Sequence, residues 1–357
     1  MSALHGSYDA ADVDFLLKPI DLAYLDVAEK EALLQGGVRH YSEMLSRETA
    51  PSPTYLATYA DALARNGAKL AGHIEALADA LGARATGPRG LALASLARAG
   101  TPIGILIARA LRRRGVAVAH YSISIVRDRG IDLNALAHIR ERHDAGDIVF
   151  VDGWTGKGAI AGELRGPRGA AAAGIAPYLV VVADPAGRAD LAATFEDYVI
   201  PSGILGGNVS GLVSRSVLNG EIGPRDFHGC VHLDHLAAAD VSRSFVNHID
   251  TLAQSTPAAA DWTAADAPRH AAACDALIAG IAAKWHVTDR NRIKPGIAEA
   301  TRAVLRRVPE RLLLGDVADP ELRHLVHLAR ERGVAIDMLP GATTYRAVAI
   351  IASVGGD

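Results

Sequence analysis

The 357-residue sequence contains only two cysteines, Cys230 and Cys274, which excludes a framework of several disulfides and indicates a reducing compartment. It also lacks an apolar run of the roughly 18 to 20 residues that a membrane helix needs. The most apolar stretch, 170–183, is interrupted by Gly174 and Pro177. The first 14 residues lack the basic flank and the apolar block of a signal peptide. We therefore expect a cytoplasmic protein that makes no membrane contact.

The composition is that of a globular protein. Half of the residues are hydrophobic, 22% are charged, and the net charge is −3. These values exclude disorder as the overall state, and the length suffices for one large core or about two ordinary ones.

The first 85 residues predict a helical N-terminal cap without strands. Ser52 and Pro53 are typical of the N-cap and first position of a helix. Apolar residues then recur at helical spacing until Gly82, namely Leu70, Ile74, Leu77 and Leu81.

Residues 86–253 predict an α/β domain, because short apolar runs alternate with helical periodicity and Gly-rich turns. We expect strands at 91–96, 116–126, 148–151, 178–183 and 198–200. Helices are expected at 103–113 and 133–142, and the strands should form a parallel sheet.

A second, smaller α/β domain is predicted at 284–357, after a linker and connecting helix at 254–283. Its expected elements are a helix at 297–307, a strand at 312–314, a helix that starts at Asp319 and Pro320 and stops at Gly333, and strands at 334–338 and 347–351. The segment 284–311 holds eight basic and three acidic residues, which is compatible with attraction to a phosphate backbone. It lacks a series of aromatic side chains for stacking on bases.

The most informative motif is 147–159, Asp-Ile-Val-Phe-Val-Asp-Gly-Trp-Thr-Gly-Lys-Gly-Ala, in which a buried strand ends at Asp152 and runs into a Gly-rich turn. Such a loop directs backbone N–H groups and the Thr155 hydroxyl into one concavity that suits an anion. An ATP-binding P-loop is ruled out, because Val151 and Gly158 stand where that motif needs Gly and Ser or Thr. The spacing of the glycines also fails the dinucleotide-binding pattern.

This segment resembles the nucleotide-binding motif of phosphoribosyltransferases. The resemblance implies that the loop residues bind the 5-phosphate of phosphoribosyl pyrophosphate and that Asp152 binds ribose hydroxyls. The loop residues are Thr155, Gly156, Lys157, Gly158 and Ala159. The usual motif has two adjacent acidic residues and a hydroxyl at the end of the loop, whereas this one has Val151 before Asp152 and ends in Gly158 and Ala159.

Three further segments occupy places that the same resemblance makes functional. The stretch 95–104 matches the pyrophosphate loop, with Ser95, Arg98, Ala99 and Gly100 as candidate contacts. The stretch 121–130 matches a mobile loop, with Arg127 and Arg129 placed to neutralise departing pyrophosphate. The Gly-rich stretch 201–215 offers Ser210, Ser214 and Arg215 to a second substrate. An ordinary turn or a solvated loop remains the alternative for each.

Metal and thiol chemistry are the other interpretations of this chain. His228, Cys230, His232, Asp234 and His235 lie within eight residues, but zinc sites usually draw ligands from two separated segments, so no metal site is predicted. A nucleophilic Cys230 beside a histidine would suggest a thiol hydrolase, and the spacing alone does not establish that pair.

Three parts of the chain, 37–44, 149–158 and 314–322 with 325–334, carry a resemblance that covers nearly its full length. With these segments the chain resembles a bacterial family associated with tellurite-resistance and stress gene clusters, also labelled the cysteine protease StiP family. The resemblance implies a type I phosphoribosyltransferase-like fold joined to a Pelota-type RNA-binding domain, and a nucleoside-like product.

The resulting hypothesis is an enzyme that uses phosphoribosyl pyrophosphate, with Mg²⁺ bound through the diphosphate. Asp152 would orient ribose, while Arg98, Lys157 and Arg127 would screen the leaving group as an unknown acceptor attacks. A nucleotide-sensing, RNA-binding regulator and a thiol hydrolase are the alternatives. RNA and a second copy of the chain are the macromolecular partners considered.

Overall fold

The computed structural model describes residues 5–85, 87–341 and 343–353 of the chain. Its strands are β1 Asp14–Phe15, β2 Lys18–Pro19, β3 Leu91–Leu96, β4 Val118–Ile123, β5 Ile125–Val126, β6 Gly130–Ile131, β7 Ile148–Trp154, β8 Leu179–Ala183, β9 Leu191–Thr194, β10 Gly229–Cys230, β11 Ile293–Pro295, β12 Pro309–Leu314, β13 Ala335–Met338 and β14 Ala347–Ile351. Its α-helices are α1 Val27–Gln35, α2 Pro53–Arg84, α3 Gly100–Arg113, α4 Leu133–Arg140, α5 Ala159–Arg165, α6 Ser242–Ala253, α7 Ala267–Lys284, α8 Ile297–Arg306 and α9 Arg323–Glu331.

A six-stranded sheet in the order β1-β4-β3-β7-β8-β9 forms the larger domain, and all of its neighbouring pairs are parallel. The central strands β3 and β8 are buried along their whole length. Such strands are continuous apolar runs in the sequence because helices cover both faces of a parallel sheet. Successive side chains of β7 point to opposite faces of the sheet, and both faces are covered: Val149 packs in one hydrophobic cluster and Phe150 in the other. The predicted α/β class with a parallel sheet is confirmed.

The N-terminal 85 residues differ from the predicted helical cap. β1 joins the edge of the large sheet beside β4, and β2 pairs with β10. Two-residue strands are too short to produce a periodic pattern, so the sequence did not reveal them. Ser52 does cap α2, because its side chain accepts a hydrogen bond from the Tyr55 N–H at 3.2 Å. Gly82 does not end the helix, which continues to Arg84.

The sheet edge also differs at its other end. No strand forms at 198–200, and the last strand is β9, in which Leu191 is followed by small residues. The apolar 198–200 segment is instead buried against the C-terminal domain and α2. The Val199 N–H, for example, donates a hydrogen bond to Glu321 of the C-terminal domain at 2.7 Å.

The C-terminal domain is a four-stranded sheet in the order β11-β14-β12-β13, with β14 antiparallel to both of its neighbours and β12 parallel to β13. The predicted small α/β domain is confirmed, and β11 is an addition to it. Its three residues include Lys294 and Pro295, which disguise a strand in the sequence.

The two domains share one hydrophobic cluster, which includes Ile297 and Leu325 from the C-terminal domain and Leu70 from α2. Buried carboxylates reinforce the contact. Asp197 accepts hydrogen bonds from the N–H groups of Ile297 at 3.0 Å and Arg346 at 2.9 Å.

No helix in the described part of the chain combines the length and the apolar character that crossing a bilayer requires.

Candidate functional site

Asp152 lies at the carboxyl end of β7, the edge at which open parallel sheets bind ligands. Its Oδ1 accepts a hydrogen bond from the Gly153 N–H at 2.8 Å. Burial raises the pKa of this carboxyl to about 6, although Arg302 and the Gly153 N–H act in the opposite direction. Asp152 is therefore an ionised acceptor above that pH and a neutral acid below it.

The loop after β7 is held by Asp184, and this gives Thr155 a different contact from the expected one. The Thr155 hydroxyl donates to Asp184 Oδ1 at 2.6 Å, and the fully buried Asp184 carboxylate also accepts from the N–H groups of Arg188 and Ala189 at 2.8 and 3.1 Å. A hydroxyl has one proton to donate, so Thr155 has none left for a phosphate. Its side chain shapes the loop.

Lys157 contacts the C-terminal domain. Its Nζ donates to the carbonyl oxygens of Arg290 at 2.6 Å and Ile293 at 3.2 Å. The expected role of screening a leaving group does not match this geometry, because two of its three protons are already used. Lys157 instead joins the loop to the start of β11.

The C-terminal domain also touches the rest of the loop. Tyr345 donates its hydroxyl hydrogen to the Gly156 carbonyl at 2.6 Å, and the Trp154 indole N–H lies 3.4 Å from Glu299 Oε1. A Cβ on Gly156 would sit 2.6 Å from Glu299 Cγ, so only glycine permits this approach. Gly158 has φ +86°, the left-handed region that glycine favours, and its neighbour Ala159 begins α5.

A cavity of about 700 Å³ lies between the N-terminal segment, the large domain and the C-terminal domain. Six residues that line it also line a smaller cavity of about 80 Å³ that contains Asp152 and the loop 154–159. The two cavities are therefore adjacent and share part of their walls. We call them together the compartment, and Asp152 and the Gly-rich loop lie at its smaller end.

The compartment is strongly basic. Nine cationic and three anionic side chains line the larger cavity. The cations are Lys30, Arg47, Arg127, Arg215, Lys294, Arg302, Arg306, Arg307 and Arg332, and the anions are Glu48, Glu299 and Glu331. An excess of positive charge in a cleft favours a polyanionic ligand, because low-dielectric walls strengthen the attraction.

Arg127 lines both cavities of this compartment. Its backbone N–H donates to the Tyr41 hydroxyl at 2.7 Å, and its guanidinium lies 5.4 Å from the Tyr41 ring centre. The nearest carboxylate is that of its own neighbour, Asp128, at 3.6 Å. Arg129 points elsewhere, to Glu43 and to the Leu218 carbonyl.

The segment 95–100 supports the site rather than facing it. Ser95 is fully buried, and its hydroxyl lies 2.7 Å from His120 Nε2. Arg98 follows a cis peptide bond, donates to the Val213 carbonyl at 2.8 Å and pairs with Glu48. Ala99 and Gly100 lie against the end of β7, where a Cβ on Gly100 would meet the Val151 carbonyl at 2.2 Å.

Glu48 takes the place beside Arg98 that an anion was expected to occupy. Its other carboxylate oxygen accepts from the Gly207 N–H at 3.0 Å. Burial opposes its ionisation, but Arg98 and Arg306 lower its pKa to about 2. Arg98 is thus neutralised inside the protein, which differs from its expected role of screening pyrophosphate.

The Gly-rich stretch 201–215 contributes one cavity residue of the three expected. The hydroxyls of Ser210 and Ser214 are buried and donate to the carbonyls of Gly206 and Arg215. Arg215 lines the cavity and donates to the Met44 carbonyl, while its Nη1 is buried without a partner among the described residues. Burial lowers the pKa of Arg215 to about 10.

Neither cysteine is arranged as a nucleophile. Cys230 is 1% exposed, and burial raises its thiol pKa to about 12. The flanking histidines face other groups: His228 contacts Ser124, His232 contacts Asp234 and His235 contacts the Glu48 carbonyl. Cys274 is also buried, and its Sγ lies 3.1 Å from the Tyr345 hydroxyl oxygen. The described residues contain no group of three or more His, Cys, Asp or Glu side chains placed to hold a metal.

Comparison with known proteins places the sequence in a family. A family model described as "Tellurite-like stress resistance cysteine protease StiP" matches residues 6–250, which is more than half of the chain. The chain belongs to the StiP family. It is 40% identical to a protein of Acinetobacter baylyi named "Cysteine protease StiP", over 98% of this chain and 94% of that protein.

Two further matches accompany the StiP assignment. Residues 272–353 match a model described as "PELOTA RNA binding domain", so the C-terminal unit of this StiP family member is a Pelota-type domain. A solved structure, HGPRT-ase from Leishmania tarentolae in complex with GMP, is similar over 43% of this chain and 85% of that chain, at 17% identity and a TM-score of 0.26. That TM-score is too low to assign a shared fold.

Proposed function

We propose that this StiP family member is a phosphoribosyltransferase-like enzyme that binds phosphoribosyl pyrophosphate in the compartment next to Asp152. The observation that supports the proposal is that a carboxylate at a strand end and a large excess of cations line two adjacent cavities with shared walls. A phosphorylated ribose needs both features, since its hydroxyls donate to a carboxylate and its phosphates attract cations.

The expected reaction is a displacement at the anomeric carbon. The acceptor forms a bond to that carbon, the bond to the pyrophosphate oxygen breaks, and pyrophosphate leaves with the electron pair while the acceptor loses its proton. Asp152 would orient the ribose ring, and Arg127 would stabilise the charge that develops on the leaving group. Mg²⁺ would arrive with the diphosphate, which suits an ion that keeps several waters and binds phosphate oxygens.

Calorimetric titration of phosphoribosyl pyrophosphate with Mg²⁺ into the full chain tests the proposal. We expect a dissociation constant between about 1 μM and 1 mM, the ordinary range for enzyme substrates. Inorganic pyrophosphate is the control ligand. It should bind more weakly because it lacks the ribose hydroxyls that would donate hydrogen bonds to Asp152. Absence of binding, or equal affinity for the two ligands, would contradict the proposal.

The name of the Acinetobacter relative favours a thiol protease as a second candidate. A cysteine protease needs a thiolate, and the environment of Cys230 opposes one. A pKa of about 12 leaves the thiolate fraction at neutral pH about 1,000-fold below that of an unperturbed thiol.

Alkylation by iodoacetamide at pH 7.5 measures this directly. We expect both thiols to react at least about 100-fold more slowly in the native chain than in urea, because burial suppresses both the thiolate and access to it. The Cys230→Ala and Cys274→Ala variants identify each thiol by difference. A thiol that reacts faster in the native chain than in urea would reinstate the protease candidate.

A further inference from the structure

Half of the basic residues in the segment 284–311 of the C-terminal domain line a cavity between the domains. Of the eight basic residues in 284–311, four line the interdomain cavity: Lys294, Arg302, Arg306 and Arg307. The opposite wall of that cavity is built by the N-terminal segment, including Lys30 and Tyr55. A polynucleotide backbone requires cations on an open surface. These four cations instead line a partly open cavity of small-molecule size between the domains.

Lys294 is the clearest case of unused binding capacity. It lies on β11, half-buried, and its ammonium makes no hydrogen bond or ion pair with any residue that the structure describes. It lines both the large cavity and the small one that contains Asp152. An ammonium group with three free donors at the junction of these spaces is placed to bind an anion.

The positive charge of Arg306, on α8, is also only weakly balanced by nearby carboxylates. The carboxylate nearest to its guanidinium is that of Glu48, at 4.0 Å from Nε, and Glu48 already accepts from Arg98 and from the Gly207 N–H. Arg302, one turn before Arg306 on α8, is satisfied by comparison, since it bonds Glu299 at 3.1 Å and stacks 4.5 Å from the Trp154 ring centre.

The pKa values agree with this geometry. Burial, followed by the proximity of Arg127, lowers the pKa of Lys294 to about 7, and Glu299 only partly opposes the shift. Burial and Arg98 lower the pKa of Arg306 to about 9. Both cations would be stabilised by an anion between them and the large domain.

We propose that the Pelota-type domain supplies half of the anion-binding site, with Lys294 and Arg306 binding the phosphate or diphosphate group of a small molecule. The identity of that molecule rests on the proposed function, whereas the placement of the cations does not. The domain thus completes a small-molecule site, and its inward basic charge is not an RNA-binding surface.

Titration of inorganic pyrophosphate into the full chain tests this, using two matched pairs of variants. Lys294→Gln and Arg306→Gln should each raise the dissociation constant about 10-fold or more, the usual effect of losing a hydrogen bond from a charged group. Their controls, Lys284→Gln and Arg330→Gln, change exposed cations that line neither cavity and should leave the constant within about 2-fold. Lys294→Arg should retain most of the affinity at pH 7, because it keeps the charge.

The results separate this inference from the proposed function. If Lys294→Gln no longer binds pyrophosphate, but the wild type binds phosphoribosyl pyrophosphate no more tightly than pyrophosphate, the anion site is supported and the transferase function is contradicted. If phosphoribosyl pyrophosphate binds and neither Lys294→Gln nor Arg306→Gln weakens it, the transferase stands and this inference is wrong. Absence of pyrophosphate binding by the wild type also overturns it.

RNA is tested in the same variants with a single-stranded oligonucleotide at several salt concentrations. We expect Lys294→Gln to bind it as the wild type does. A loss of RNA affinity in Lys294→Gln but not in Lys284→Gln would assign this lysine to RNA and overturn the proposal. Should Lys294→Gln fail to fold, as judged by its urea midpoint, Arg306→Gln and its control Arg330→Gln decide the result.

Discussion

Replacing Asp152 by asparagine should weaken the binding of phosphoribosyl pyrophosphate by about 10- to 100-fold at pH 8, because hydrogen bonds to a charged acceptor contribute roughly 1.5 to 3 kcal/mol. The substitution keeps the shape of the side chain and one acceptor oxygen, so the Gly153 N–H retains a partner. Only the charge and the second acceptor are lost. Calorimetry on the two proteins gives the ratio of dissociation constants.

The same ratio should depend on pH in a defined direction. Burial raises the pKa of Asp152 to about 6, so the wild-type carboxyl is ionised at pH 8 and neutral at pH 5. A neutral carboxyl resembles the amide, and the advantage of the wild type should therefore shrink as the pH falls through about 6. The phosphate groups of the ligand titrate identically in both experiments and cancel in the ratio.

Asp144→Asn is the matched control, since it makes the same change before the amino end of β7, at an exposed position. It should leave the dissociation constant unchanged. Equal binding by wild type and Asp152→Asn at pH 8 would remove Asp152 from the ribose site. A ratio that did not vary between pH 5 and 8 would show that its charge is unimportant.

The large domain could be predicted from the sequence because its central strands are buried on both faces. β3 has the predicted bounds, and β7 and β8 nearly so, since a continuous apolar run of this length between turn residues is typical of a strand in a parallel sheet. The sequence did not predict β1, β2, β6, β9, β10 and β11, which have two to four residues each. Of these, β1, β2, β10 and β11 pair with distant segments. Their pairing depends on the tertiary fold, which a local pattern does not encode.

Only half of the site could be predicted, for the same reason. Asp152, Arg127 and Arg215 are identified by their own segments, and each of them lines one or both of the adjacent cavities. Lys294, Glu299 and Arg306 are not predicted as site residues because they reach it only when the C-terminal domain docks. Their sequence signal, a basic stretch, favours a polynucleotide surface. Thr155 and Lys157 are residue types expected in a phosphate-binding loop. The Thr155 hydroxyl, however, donates to Asp184, and the Lys157 ammonium donates to backbone carbonyls of the docked C-terminal domain.

Replacing Asp197 by alanine should cost about 2 to 5 kcal/mol of folding free energy, the largest stability effect that we expect from one contact between the domains. The 5% exposed carboxylate accepts hydrogen bonds from the Ile297 and Arg346 N–H groups. Its loss leaves both peptide donors without this partner, at roughly 1 to 3 kcal/mol each. Burial raises the pKa of Asp197 to about 6, above its unfolded value. The proton linkage of this group therefore favours folding at low pH, and that contribution is lost as the pH rises from about 4 to 6.

Urea unfolding at pH 5, where the wild-type carboxyl is largely neutral, measures the effect, with Asp275→Ala as the control. Asp275 also joins the C-terminal region to the large domain, through Arg188 at 2.9 Å, but its side chain is 65% exposed. An exposed ion pair contributes at most about 1 kcal/mol, so this midpoint should barely move. Because Lys294 and Arg306 reach the cavity only while the domains are docked, Asp197→Ala should also weaken pyrophosphate binding at urea concentrations below its midpoint. Equal urea midpoints for the two variants would mean that the buried Asp197 carboxylate does not hold the domains together. Other contacts would then have to keep Lys294 and Arg306 at the cavity.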